Sequence, residues 1–227
     1  MDQERIAEFK SFVSKELLPA IDDVAKLGDA NRKHVQRLIY TNLVDRFDAL
    51  IDNMILDNCR HEHLVAEAMK SMTQQITESD LVRFLMHGDT VQSVINNRIK
   101  DILRTTVLRQ RHSKKLSTAF KVLQSNETCW TKPCVNDATG KILQSMTPRQ
   151  TRVPYSICGY ADWLYSRRNA IVHGGGSMKL LDNDVKQLEL LFKCKPAKTF
   201  NVKLGSIKIT ATFYCDALDK LLEQKLA

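Results

Sequence analysis

Between Arg32 and Asp57 the apolar residues Val35, Leu38, Ile39, Leu43, Phe47, Leu50, Ile51, Met54 and Ile55 recur three and four apart. At about 100° per residue that spacing gathers them on one face of a long helix, and the stripe reads as core. The same period runs from Glu4 to Lys26 through Ile6, Phe9, Phe12, Val13, Leu17, Leu18, Ile21, Val24 and Ala25. Pro19 should kink or split that helix, since it has no N–H to donate. Gly28-Asp29-Ala30-Asn31 is a turn, with Asp29 or Asn31 as N-cap of the long helix. A short helix is expected over Leu64–Gln74. Another starts at Thr77-Glu78-Ser79-Asp80, has its apolar face in Leu81–Met86 and ends at His87-Gly88-Asp89. From Thr90 to about Gln124 the period returns, as one long helix or a kinked pair.

Further on the pattern changes twice. From about 126 to 154, Asn, Asp, Gly and Pro break the periodicity, and the stretch reads as a loop or insertion. Trp130 should pack this loop down or, less favoured, offer a stacking surface for a base. Asp182-Asn183-Asp184 caps a helix through Phe192, which Lys195-Pro196 ends. Phe200–Leu204 and Ile207–Phe213 alternate around Gly205-Ser206, a β-hairpin signal over about 200–213. Asp216–Leu226 closes as a helix. The expectation is one mainly α domain over 1–227 with a small C-terminal hairpin.

Composition narrows the class. The 227 residues are 43% hydrophobic and 26% charged, an ordinary globular balance. No run approaches the ~18 apolar residues of a membrane span. The start, Met1-Asp2-Gln3-Glu4-Arg5, has neither the basic nor the apolar region of a secretory signal. Six scattered cysteines without a Cys-x-x-Cys pair read as buried thiols in a reducing cytoplasm. His61 and His63, two apart, miss the i, i+4 spacing with which helical histidines share zinc, so no metal site and no cofactor are expected. A net charge of +8 favours an anionic partner.

Function is placed at Ser166-Arg167-Arg168-Asn169-Ala170-Ile171-Val172-His173-Gly174-Gly175-Gly176. A helix from about Tyr155 runs through Val172, and three glycines stop it. Asn169 and His173, four apart, share a face; Arg168 flanks it. One helix end therefore carries a phosphate-binding fork, an orienting amide and a side chain that titrates near neutral pH.

Arg168-Asn169-x-x-x-His173 followed by glycine resembles the R-x4-6-H signature of the HEPN superfamily. The resemblance implies a helical bundle and a metal-independent endoribonuclease, with Arg168, Asn169 and His173 catalytic. It also implies a homodimer sharing one RNA-cutting cleft, and a role as toxin or antiphage effector, with a possible antitoxin or effector protein as partner. Between Arg98 and Lys121 eight basic residues face one acid, Asp101. Arg104, Arg109, Arg111, Lys114 and Lys115, with Arg167, are expected to track an RNA backbone, where each neutralised phosphate releases counterions. The rival reading is a non-catalytic HEPN-type module that binds nucleotides or docks on a partner. A DNA-binding regulator ranks last, for want of a recognition-helix unit.

Overall fold

The computed structural model describes residues 2–72, 77–86, 91–124, 129–148, 151–176 and 178–223, with backbone alone for 80, 81, 83, 84 and 91. The first helical stretch takes the split form: α1 (Asp2–Phe12), a π-helical turn (Val13–Leu17) and α2 (Leu18–Val24). Leu18 N–H reaches back to Val13 O in this wider turn, directly before Pro19, which has no N–H for a regular ladder. Ile6, Phe9, Phe12, Val13, Leu17, Ile21 and Val24 all stay buried, so the apolar stripe survives the irregularity.

The long helix is α3 (Asp29–Asp57). Its stripe is core from Leu43 to Ile55, but Leu38 is exposed. Tyr40 is the buried residue at that end, and its hydroxyl donates to Leu164 O at 2.8 Å. Next come α4 (Glu62–Lys70), α5 (Glu78–Met86), α6 (Val91–Thr105) and α7 (His112–Gln124). His61 caps α4, its Nδ1 accepting from His63 N–H at 3.3 Å. The expected ends at Gln74 and at His87-Gly88-Asp89 lie outside the described residues. The stretch from 90 to 124 is a pair of helices, broken at 106–111.

Residues 129–148 are irregular apart from a single antiparallel bridge, Val135 to Ile142. Gly140 turns this segment at φ +77 and lies against α10 (Leu204–Leu222). A Cβ there would sit 2.2 Å from Ile209 O, so the approach requires glycine. Trp130 packs against Phe192, ring centroids 5.1 Å apart. Between these parts run α8 (Ile157–His173) and α9 (Asp182–Phe192). Lys193, left-handed at φ 52, closes α9 before Lys195-Pro196 is reached.

The expected C-terminal hairpin is not there. Residues 204–222 are one helix, and the described residues hold only two isolated bridges. The short alternation misled. Over the longer window the buried positions Ile207, Thr210, Ala211, Tyr214, Ala217, Leu218 and Leu221 recur three and four apart, and Phe213 is buried beside them. That period runs from Ile207 to Leu221 in a helix of nineteen residues and outweighs a two-residue period over Ile207–Phe213. Gly205-Ser206 lies in the first helical turn, where two N–H groups need no intrahelical acceptor.

α8 is the central element, buried nearly all round and packed on α3, α7 and α9; α3 also meets α1, α7 and α10. Phe47 of α3 stacks on Tyr214 of α10 at 3.9 Å and 10°, and Phe9 meets Phe47 edge-on at 6.0 Å. Such pairs add about 1 kcal/mol each beyond area burial. Five of the six cysteines are buried and all six are free thiols. Among the described residues no helix is long and apolar enough to cross a membrane.

Candidate functional site

α8 begins with a side-chain cap: Ser156 Oγ accepts from Gly159 N–H at 3.2 Å. Its opposite end carries the signature residues and emerges from the core only at Val172 and His173, both exposed. The glycine run closes it as the sequence suggests. Gly174 N–H bonds Ala170 O at 2.9 Å, Gly176 N–H bonds Ile171 O at 2.8 Å, and Gly175 and Gly176 take φ +63 and +81. Arg37 of α3 then clamps the turn, Nη1 donating to Gly176 O at 3.0 Å.

Arg168 and Asn169 are brought together. Arg168 Nε lies 2.6 Å from Asp45 Oδ1, and Nη2 donates to Asp45 Oδ2 at 3.2 Å. Its Nη1 reaches Asn169 Oδ1 at 3.4 Å, and Asn169 Nδ2 reaches Asp184 Oδ2 at 3.5 Å, both long contacts. The Arg168 side chain is 19% exposed, that of Asp45 44%. His173 stands apart: among the described residues no hydrogen bond joins it to Arg168 or Asn169.

Asp184, on α9, continues the chain into the interior. It accepts from Arg111 Nη1 at 3.0 Å, while Arg111 Nε donates to Asp162 Oδ2 at 2.6 Å and Nη2 to Ser166 Oγ at 3.2 Å. Burial pushes the Asp162 carboxyl above its ordinary range, and Arg111 pulls it back only in part. A parallel group lies one turn along α3. Asp48 Oδ1 is 2.6 Å from both His112 Nδ1 and Lys115 Nζ, and Lys115 also reaches Asp52 at 2.8 Å. Burial would raise Asp48, but His112 and Lys115 together outweigh it and lower the carboxyl to about 2. Burial works against the charge on Lys115 as well, and Asp48 and Asp52 more than reverse it. The His112 ring stacks on Tyr165 at 4.8 Å and 1°, and the Arg168 guanidinium lies 5.7 Å from the same Tyr165 ring. The two polar groups thus converge beside the signature.

This geometry corrects half of the expected RNA track. Arg111 and Lys115 are turned inward and held by carboxylates. Arg167 is buried, donates to Asn201 O at 2.7 Å and lies over Trp163 at 4.8 Å and Phe200 at 4.9 Å. A guanidinium so enclosed faces ring surfaces and one backbone carbonyl, away from any phosphate in solvent, although its buried Nε finds no hydrogen-bond partner among the described residues. Arg104, Arg109 and Lys114 do lie on the surface, Arg104 paired with Asp101 at 2.7 Å.

Asp45, Asp184 and Arg37 were missed by sequence reasoning. A signal existed for the first: Asp45, Asp48 and Asp52 are spaced i, i+3 and i+7, a carboxylate row on one face of α3. Each member finds a basic partner among Arg168, His112 and Lys115. Among the described residues no group of three or more His, Cys, Asp or Glu is arranged to hold a metal ion. Compared with protein-family models, with curated proteins and with solved structures, the chain finds no match.

Proposed function

We propose that this chain is a metal-independent endoribonuclease that turns the RNA 2′-hydroxyl against its own backbone, acting as a homodimer in a toxin or antiphage role. One observation carries the reading. Where α8 leaves the core, Arg168 and Asn169 are hydrogen-bonded side by side, and His173 stands in solvent one turn beyond. The imidazole of His173 takes the 2′-hydroxyl proton. The freed oxygen attacks phosphorus, and the bond to the 5′-oxygen breaks. Arg168 stabilises the charge that builds on the phosphoryl oxygens, and Asn169 fixes the guanidinium. The leaving oxygen takes its proton from a second acid, which a facing copy of His173 supplies in the homodimer that the HEPN resemblance implies. Products are a 2′,3′-cyclic phosphate or 3′-phosphate and a 5′-hydroxyl.

The test is a gel of total RNA treated with wild-type, His173→Ala and Arg168→Ala protein, with EDTA in a parallel lane. Both variants lose cleavage while keeping their circular dichroism, EDTA changes nothing, and DNA stays intact. Undiminished cleavage in either variant, or an EDTA loss restored by a divalent ion, ends the proposal.

The second reading, a non-catalytic module that binds nucleotides or docks on a partner, is favoured by the hold of Asp45 on Arg168. A guanidinium already paired has less to offer a transition state. Retention of labelled RNA or ATP without any cleavage supports this reading instead.

A further inference from the structure

Trp130 lies between two concavities. On one side is a cavity of about 410 Å³, lined by Trp130, Phe192, Tyr155, Pro133, Pro148 and Pro154, with Lys193 at its edge. On the other is a groove of about 320 Å³ lined by Trp130 with Lys114, Lys121, His63, Gln110 and Glu67. Trp130 is half-buried, so its ring is anchored against Phe192 and still accessible. Among the described residues three lysines line these walls and Glu67 is the single acid; Lys70 holds it at 2.6 Å and Lys121 acts on it as well. An anchored aromatic face next to a cationic groove is what an unpaired base and its flanking phosphates require. The rigid aromatic and prolyl lining costs little conformational entropy on binding.

We infer that Trp130 and the Lys114–Lys121 groove form a subsite for single-stranded RNA, with one base stacked on Trp130 and the adjoining phosphates beside Lys114 and Lys121. The choice of RNA rests on the endoribonuclease reading; the subsite itself is separate from Arg168, Asn169 and His173. Lys114 is the one member of the expected basic track that joins it. The interaction is sequence-tolerant, because every base has a π-face, and it depends on salt.

The probe is a 2′-O-methyl oligouridine, which cannot be cleaved, with single-stranded DNA of the same length as a second arm. Binding quenches tryptophan fluorescence in the wild-type protein. Trp130→Leu keeps an apolar packing residue, abolishes the quenching and weakens binding at least tenfold; Trp130→Phe restores binding to within about threefold of wild type. Lys114→Gln with Lys121→Gln lowers the slope of log affinity against log salt by roughly 1.4, about 0.7 for each phosphate that a single strand leaves unneutralised. DNA binds like the modified RNA, since neither stacking nor the lysines use the 2′-hydroxyl. Wild-type affinity in Trp130→Leu overturns the subsite. If that variant misfolds by circular dichroism, an unchanged salt slope in the double lysine variant overturns it. Trp130-dependent binding without cleavage of ordinary RNA leaves the subsite standing and removes the nuclease reading. Cleavage without Trp130-dependent binding does the reverse.

Discussion

Asp45 grips the Arg168 guanidinium by its Nε edge at 2.6 Å and by Nη2 at 3.2 Å, linking the middle of α3 to the signature on α8. The pair is partly exposed, so its contribution to stability is small, about 1 kcal/mol or less. Its contribution to orientation is larger. With Asp45 removed, the 3.4 Å contact to Asn169 and the Tyr165 ring 5.7 Å away are what still direct the guanidinium.

Asp45→Asn is therefore expected to lower RNA cleavage roughly tenfold while costing about 1 kcal/mol or less in denaturant unfolding. Equal or faster cleavage in this variant shows that Asp45 competes with the phosphate and does not position Arg168.

Asp48 makes acid stability a readout of the second polar group. Its carboxyl falls from an ordinary 3.8 to about 2 in the folded chain. A depressed carboxylate stabilises the fold fully above its unfolded value, and that stabilisation is lost as pH falls through the folded value. Asp52 and Asp162 are raised by burial and act in the opposite sense, so the net acid curve is shallower than Asp48 alone would give. Asp48→Asn is expected to cost about 3 kcal/mol at pH 7, because it leaves His112 and Lys115 short of a partner. The difference from wild type shrinks between about pH 4 and 2, as Asp48 itself becomes neutral. Urea unfolding at pH 7, 4 and 2.5 measures it; a constant difference refutes the assignment.

Gly176 holds φ +81, and a Cβ there would lie 2.9 Å from Arg37 Nη1. Gly176→Ala is expected to cost about 1–2 kcal/mol from the left-handed backbone and the displaced Arg37. In a chain of this size that lowers the melting temperature by about 2–8 °C. Arg37→Ala removes the clamp without backbone strain and is expected to cost less. Equal melting temperatures for wild type and Gly176→Ala would show that the turn has another conformation open to it.

Arg167 is expected to be structural. Arg167→Lys keeps the charge but loses the planar contact with Trp163 and Phe200 and the bond to Asn201 O. It should destabilise by about 1–3 kcal/mol in thermal unfolding. Folded Arg167→Lys should bind RNA as wild type does. A selective loss of RNA affinity at unchanged stability would return Arg167 to the binding surface.

Long periodic stretches were readable because burial imposes their period directly. α3, the split at Pro19 and the glycine stop of α8 all follow from residues acting within one or two turns, whereas Asp182-Asn183-Asp184 forms the first turn of α9 behind Leu181 and does not cap it. The C-terminal hairpin failed where seven alternating residues, Ile207–Phe213, sat inside a longer helical period that their partners on α3 and α7 reinforce. Charge was the harder property. Arg111, Lys114 and Lys115 look alike in a row of letters, yet only Lys114 faces water. What separates them is the carboxylates they meet, and those come from α3, α8 and α9. The Asp45, Asp48 and Asp52 row was visible in the sequence, but its basic partners lie 60 or more positions away.

Arg111, the last residue of the break before α7, spans Asp162 and Asp184 at once, bracing that junction against two helices with a single side chain. Neutralising it alone strands two acids in the interior, and neutralising either acid leaves a half-compensated cation. Descent with modification can therefore change this trio only in concert. Among homologous chains, position 111 and its two acids should be inherited or replaced as a block, whatever becomes of His173 at the rim.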